Sequence, residues 1–149
     1  MKTLLAAMSL ALAVPAAPAA DPAPELRTEV QKGVTAYNTR DLSYFEAALV
    51  PDAVYIADDG ATFVGKDRVL GLFKRIFAMT PAREIAPGEV AVGSRGDVGW
   101  ARFKYTLAVG EEKRGAVMTT LFARSGAQWQ VLQIQNTRDG HASPGGHAH

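Results

Sequence analysis

At 149 residues the chain is long enough for one buried core, and it contains no cysteine, which excludes disulfides and thiol chemistry. Its 16 basic and 15 acidic residues are interspersed, with none of the basic stripe that a nucleic-acid partner requires.

The opening MKTLLAAMSLALAVPAAPAA places Lys2 before an apolar run, Leu4 to Val14, and follows it with alanines and prolines. That is the order of a secretory signal peptide, with Ala17-Pro18-Ala19 as an A-x-A site and cleavage expected between Ala16 and Ala20. The run is short for a membrane span. The expected location is therefore periplasmic or secreted, with no membrane attachment after cleavage. The domain plan is 1–20 signal peptide, 21–137 one domain, and 138–149 a polar, His-containing tail expected to be disordered.

Pro24, Glu25 and the helical spacing of Leu26, Val30, Gly33, Val34 and Tyr37 predict a first helix ending near Asn38. A second, Leu42 to Val50, is capped by Thr39 or Asp41 and closed by Pro51. Asp52 to Ala57 reads as a strand, Asp58-Asp59-Gly60 as a turn, and Ala61 to Val64 as the returning strand. A third helix starts at Gly65, carries Val69, Phe73, Ile76 and Phe77 on one face, and ends by Pro81. Glu84 to Val92 is a strand broken at Pro87-Gly88.

From Asp97 to Thr137 three alternating runs and two polar turns predict an antiparallel meander. A loop at Glu111-Glu112 would pair Tyr105 with Met118, Phe103 with Thr120 and Ala101 with Phe122. Leu132, Ile134 and Asn136 are assigned to the same inner face. The opposite face would hold Trp100, Leu121, Trp129 and Val131, an apolar surface suited to an isologous homodimer. Early helices and late strands give an α+β fold: a cone-shaped, curved antiparallel sheet with three N-terminal helices enclosing a pocket.

The segment YNTRDLSYFEAALVPDAVYIADDGATFVGKDRVLGLF, residues 37–73, resembles the opening of the nuclear transport factor 2-like superfamily, especially its SnoaL-like (polyketide cyclase-like) branch. The resemblance rests on Asp41-Leu42 after the first helix, Asp52-Ala53-Val54 opening a strand, Gly65 ahead of Val69-Leu70, and Gly126 ahead of Trp129. It spans about Pro24 to Thr137. It implies a conical, cystatin-like fold with an apolar pocket, often dimerising through the outer sheet face, in members that include isomerases, dehydratases, cyclases and binding modules. The catalytic carboxylate of the steroid-isomerase branch falls on Ala57, and its first-helix tyrosine falls near Gly33. Asp58 and Asp59 stand one and two places beyond.

All three histidines, His141, His147 and His149, lie in the tail, so the core offers no His or Cys for a metal, and neither metal nor cofactor is expected. Tyr37, Tyr55 and Tyr105 share faces with apolar residues and can orient a ligand by their hydroxyls, or serve as core aromatics. Phe73, Phe77, Phe103 and Met118 supply apolar wall or plain core, and Thr120 and Asn136 supply polar points. Asp58 and Asp59 are the weak catalytic candidates, since the turn explains them without chemistry. The sequence thus points to an exported domain binding a small organic ligand in an apolar conical pocket. The alternatives are a cofactor-independent isomerase, dehydratase or cyclase with an Asp general base, and a structural dimerisation module.

Overall fold

The computed structural model describes residues 21–140. The signal segment with its cleavage site, and the three tail histidines, lie outside the described residues. The chain runs α1 (Ala23–Thr39), α2 (Leu42–Ala48), β1 (Leu49–Ile56), β2 (Thr62–Val64), α3 (Lys66–Phe77), β3 (Arg83–Arg95), β4 (Val98–Val109), β5 (Glu112–Ser125) and β6 (Gln128–Arg138). The strands form one curved, open sheet in the order β2-β1-β6-β5-β4-β3, with the helices against its inner face.

Each helix is short and amphipathic and gains its stability by docking on the sheet. α1 buries Leu26, Val30 and Ala36, and α3 buries Val69, Leu70, Phe73 and Ile76. Asp41 caps α2 by accepting from the backbone N–H groups of Ser43 and Tyr44. That helix stops at Ala48, two residues before the expected end. Pro51 pushes the residue before it into an extended conformation, and Leu49 and Val50 are both buried, with Leu49 pairing with Val131 of β6. Asn38, expected only to end a helix, reaches from α1 to edge strand β3. Its amide donates to the Ile85 carbonyl (2.9 Å) and accepts from the Ile85 N–H (2.8 Å), satisfying the backbone as a neighbouring strand would.

The β3–β4, β4–β5 and β5–β6 hairpins turn on Gly96-Asp97, Gly110-Glu111 and Gly126-Ala127, with a positive φ only at the glycine. This is the Gly-first, two-residue turn that matches strand twist. It corrects the predicted register. Because Gly110 takes φ +61°, the loop is Gly110-Glu111 rather than Glu111-Glu112. Tyr105 therefore faces Ala116, Phe103 faces Met118 and Ala101 faces Thr120. The slide is two residues, so every side chain keeps its face.

The sheet is antiparallel at every pairing except β1–β6, which is parallel. After β2 and α3 the chain restarts at the far edge, and three hairpins return β6 beside β1 in the same direction. Pro87-Gly88 does not break β3. The irregularity there is a register shift between Pro87 and Val90, tolerated because an edge strand needs no donor from proline on its open side.

A second bulge overturns part of the outer-face assignment. Leu121 pairs with Gln133 but Phe122 pairs with Val131, so Leu132 is an extra residue in β6. Side-chain alternation reverses there: Ile134 and Asn136 point inward after the bulge, and Trp129 and Val131 point inward before it, 5% and 6% exposed. The Trp129 indole donates to the Glu25 carboxylate (3.0 Å) under α1. The outer face retains Val98, exposed Trp100 and half-buried Leu121, with the Trp100 ring lying over Gly93.

Candidate functional site

Helices and concave sheet enclose a cavity of about 700 Å³. The inward positions of β4, β5 and β6 give it Phe103, Tyr105, Met118, Thr120, Phe122, Val131, Ile134 and Asn136. Tyr37 comes from α1, Tyr55 from β1, and Phe73 from α3. The walls are mostly apolar. Exposed lining residues, among them Asp59, Arg75, Met79, Arg114 and Arg138, mark the mouth.

Eight of the nine predicted pocket residues therefore share one space, and Phe77 does not. One helical turn beyond Phe73, its ring stacks on that of Phe73 at 5.8 Å and meets Tyr37 edge-on at 5.7 Å. It supports the wall from behind. Phe45, read from the sequence as part of the apolar side of α2 but not as a pocket residue, joins the same aromatic cluster, 4.3 Å from Phe73, and lines the cavity.

Apart from the charged side chains, the polar groups of the wall are tyrosine hydroxyls, Thr120 and Asn136. The Tyr105 hydroxyl donates to Asn136 Oδ1 (2.9 Å), and Asn136 Nδ2 donates to the Ile56 carbonyl (3.3 Å). Asn136 is thus a cross-sheet strut joining β4, β6 and β1 rather than a local strand cap. Thr120 is also buried beside the cavity. Burial pushes the Tyr105 hydroxyl up to about 12, reinforced by the Asp58 charge and Tyr37 and opposed by Arg114. Burial likewise raises Tyr55, with Tyr37, Tyr105 and Asp58 adding to it, and raises Tyr37 against the pull of Arg83 and Arg114. At neutral pH all three phenols remain protonated and can donate a hydrogen bond.

Asp58 and Asp59 sit in the predicted turn, and both line the cavity. Asp59 is a turn residue whose carboxylate accepts from the Ala61 N–H (2.9 Å). Asp58 does more than turn the chain. Its carboxylate lies 3.0 Å from Arg114 and 3.5 Å from Arg138, so the ends of β5 and β6 hold it at the mouth. Ala57 and Gly33, where the steroid-isomerase groups would fall, line the cavity but carry no chemistry.

The sequence reading missed Arg83, Arg114 and Arg138. Their signal was present: Arg114 and Arg138 continue the inward alternation of Met118–Thr120 and Ile134–Asn136, and Arg83 shares a face with buried Ile85. Among the described residues no cluster of three His, Cys, Asp or Glu side chains could hold a metal. Nor is any described helix long and apolar enough to cross a membrane.

The profile of the SnoaL-like domain matches residues 27–136, from α1 to the inner end of β6. The chain belongs to the SnoaL-like domain family. Solved structures place the SnoaL-like domain in the wider nuclear transport factor 2-like, cystatin-like fold. It is similar to an uncharacterised protein with a cystatin-like fold from Caulobacter vibrioides (13% identity, 80% of this chain and 90% of that one, TM-score 0.72). It is similar to an NTF2-like protein of unknown function from Pseudomonas putida (21% identity, 76% and 84%, TM-score 0.70). A Streptomyces avermitilis protein of the NTF2-like family, proposed to be a dehydratase, shares 15% identity over 78% and 94% of the chains at a TM-score of 0.71. At these identities the likeness is one of fold. No curated protein matches this chain.

Proposed function

We propose that this SnoaL-like domain is an exported binding module whose cone takes up a small organic molecule with a predominantly apolar body. The observation that carries this reading is the cavity itself. Its volume of about 700 Å³ falls within the ordinary range for small-molecule sites, roughly 300–1,000 Å³. Apolar walls with Tyr37, Tyr55, Tyr105 and Thr120 at few, fixed points are what a pocket needs to desolvate a ligand and then orient it. Such open space speaks against a purely structural module, whose cavity would be filled by its own side chains.

A second reading, a cofactor-independent dehydratase, isomerase or cyclase, is favoured by the place of Asp58 on the cavity wall and in the electrostatic surroundings of Tyr105. In it Asp58 would take a proton while a tyrosine steadied the developing oxyanion. Against it, the Asp58 carboxylate is already engaged by two guanidinium groups, which compete for the lone pairs a base must offer. Export rests on the opening segment. A homodimer through the outer sheet face also belongs to the proposal, supported by the exposure of Val98 and Trp100.

Thermal shift across a library of small organic compounds tests the binding reading, because a ligand of the native state raises apparent stability. The expected hits stabilise the natural protein and fail to stabilise a folded Ile134→Trp variant, whose indole occupies the cone. Hits that stabilise both equally, or no hits, would count against the cavity as the site.

A further inference from the structure

The charges around the cavity do not balance group by group. Arg75, Arg83, Arg114 and Arg138 line it, facing Glu29, Asp58 and Asp59. Glu29 is paired with Lys32 at 2.8 Å, Asp58 is shared by Arg114 and Arg138, and Asp59 accepts from its own turn. Arg75 is exposed, and water can solvate it. Arg83 differs. It stands half-buried at the start of β3, and among the described residues no carboxylate lies within ion-pairing distance of it. Its Nε is buried without a hydrogen-bond partner, and the neutral Tyr37 hydroxyl is the polar group beside its guanidinium. A guanidinium keeps its charge at any pH at which the protein is folded, and a charge removed from water is costly until an opposite charge or hydrogen-bond acceptors meet it.

We propose that the ligand of this cavity is a hydrophobic carboxylic acid whose carboxylate meets Arg83. The inference rests on the binding reading above and adds the chemical class of the ligand. A planar, singly charged carboxylate matches the fork of one guanidinium, whose parallel N–H groups bind it side by side. The Tyr37 hydroxyl, whose oxygen lies beside the Arg83 guanidinium, keeps its own O–H to donate to the same head group. From there the apolar body runs along Phe103, Phe122 and Ile134. Arg114 and Arg138 compete less for the head group, because they share Asp58 and water solvates their exposed guanidinium groups at the mouth.

Calorimetric titration of the full domain with decanoate, decanol and decyltrimethylammonium, each below its micellar concentration, tests this with one body and three heads. Decanoate should bind more tightly than decanol, and decyltrimethylammonium more weakly than both. Arg83→Met should weaken decanoate binding roughly ten-fold or more, the loss of a charged hydrogen bond, while leaving decanol within about two-fold. Retained decanol binding also shows that the variant is folded. Arg83→Lys, which keeps the charge but not the fork, should fall between. Equal affinity for decanoate and decanol, or an Arg83→Met loss shared by both, overturns the carboxylate inference and leaves the binding reading standing. Failure of all three to bind overturns both.

Discussion

Replacing Asn136 with leucine should be among the more damaging changes of similar size in the cavity wall. The side chain is 6% exposed and serves two partners, accepting from the Tyr105 hydroxyl at 2.9 Å and donating to the Ile56 carbonyl at 3.3 Å. Each buried polar group left alone costs about 1–3 kcal/mol. The Tyr105 hydroxyl borders the cavity, where water can reach it, so its share belongs at the low end. The expected loss is about 2–4 kcal/mol. Tyr105→Phe strips only one bond and should cost about 1–2 kcal/mol. Because the two changes delete the same hydrogen bond, the double variant should lose about 1 kcal/mol less than the sum of the single losses. Urea unfolding, followed by the fluorescence of Trp100 and Trp129, measures all three. Unchanged slopes confirm that the variants are compared on one transition. Additive losses, within about 0.3 kcal/mol, would refute a strut joining β4, β6 and β1.

Gly99→Ala should destabilise by about 1–3 kcal/mol, since a Cβ there would lie 2.8 Å from buried Leu26 and 3.2 Å from Trp129. Gly93→Ala would drive its Cβ into the exposed Trp100 ring, which can swing outward, so it should cost less and red-shift the tryptophan emission. On pH, the raised Tyr105 value means that folding favours the neutral phenol. The stability it contributes is complete below its ordinary value of 10 and is lost as pH rises through about 12, with Tyr55 and Tyr37 acting in the same sense. Unfolding midpoints that do not fall across that window would contradict the burial of these hydroxyls. For the proposed homodimer, light scattering should return twice the chain mass, with Trp100→Arg shifting it to monomer; a monomer mass for the natural protein at tens of micromolar would end that proposal.

The order of elements was legible because each carries its own local signal. Helical spacing marks α1 and α3, Asp41 marks a cap, and period-two alternation marks the meander. The cavity face of β4 and β5 was legible for the same reason, since Phe103, Tyr105, Met118 and Thr120 keep their parity even when the register slides by two. What was not legible depends on contacts distant in sequence. The bulge at Leu132 exists to fit β6 between two different neighbours, and it alone decides that Trp129 and Val131 face inward rather than toward a partner. The parallel β1–β6 seam, which turns Leu49 and Val50 from helix into strand, is equally non-local. Asp58 looked like a turn residue because its arginine partners lie 56 and 80 positions further along the chain. Phe77 was misplaced for the opposite reason: helical spacing gives the side of a helix but not which of its turns reaches the ligand space.

The most direct test of the cavity as a binding site uses its own methionines. Met118 stands on the cavity wall and Met79, 44% exposed, at the mouth. In methyl NMR of the labelled protein, titration with decanol should move the Met118 resonance along a saturating curve and move Met79 less. A Met118 methyl that stays fixed while the protein remains folded, at decanol concentrations approaching its solubility, would contradict the account.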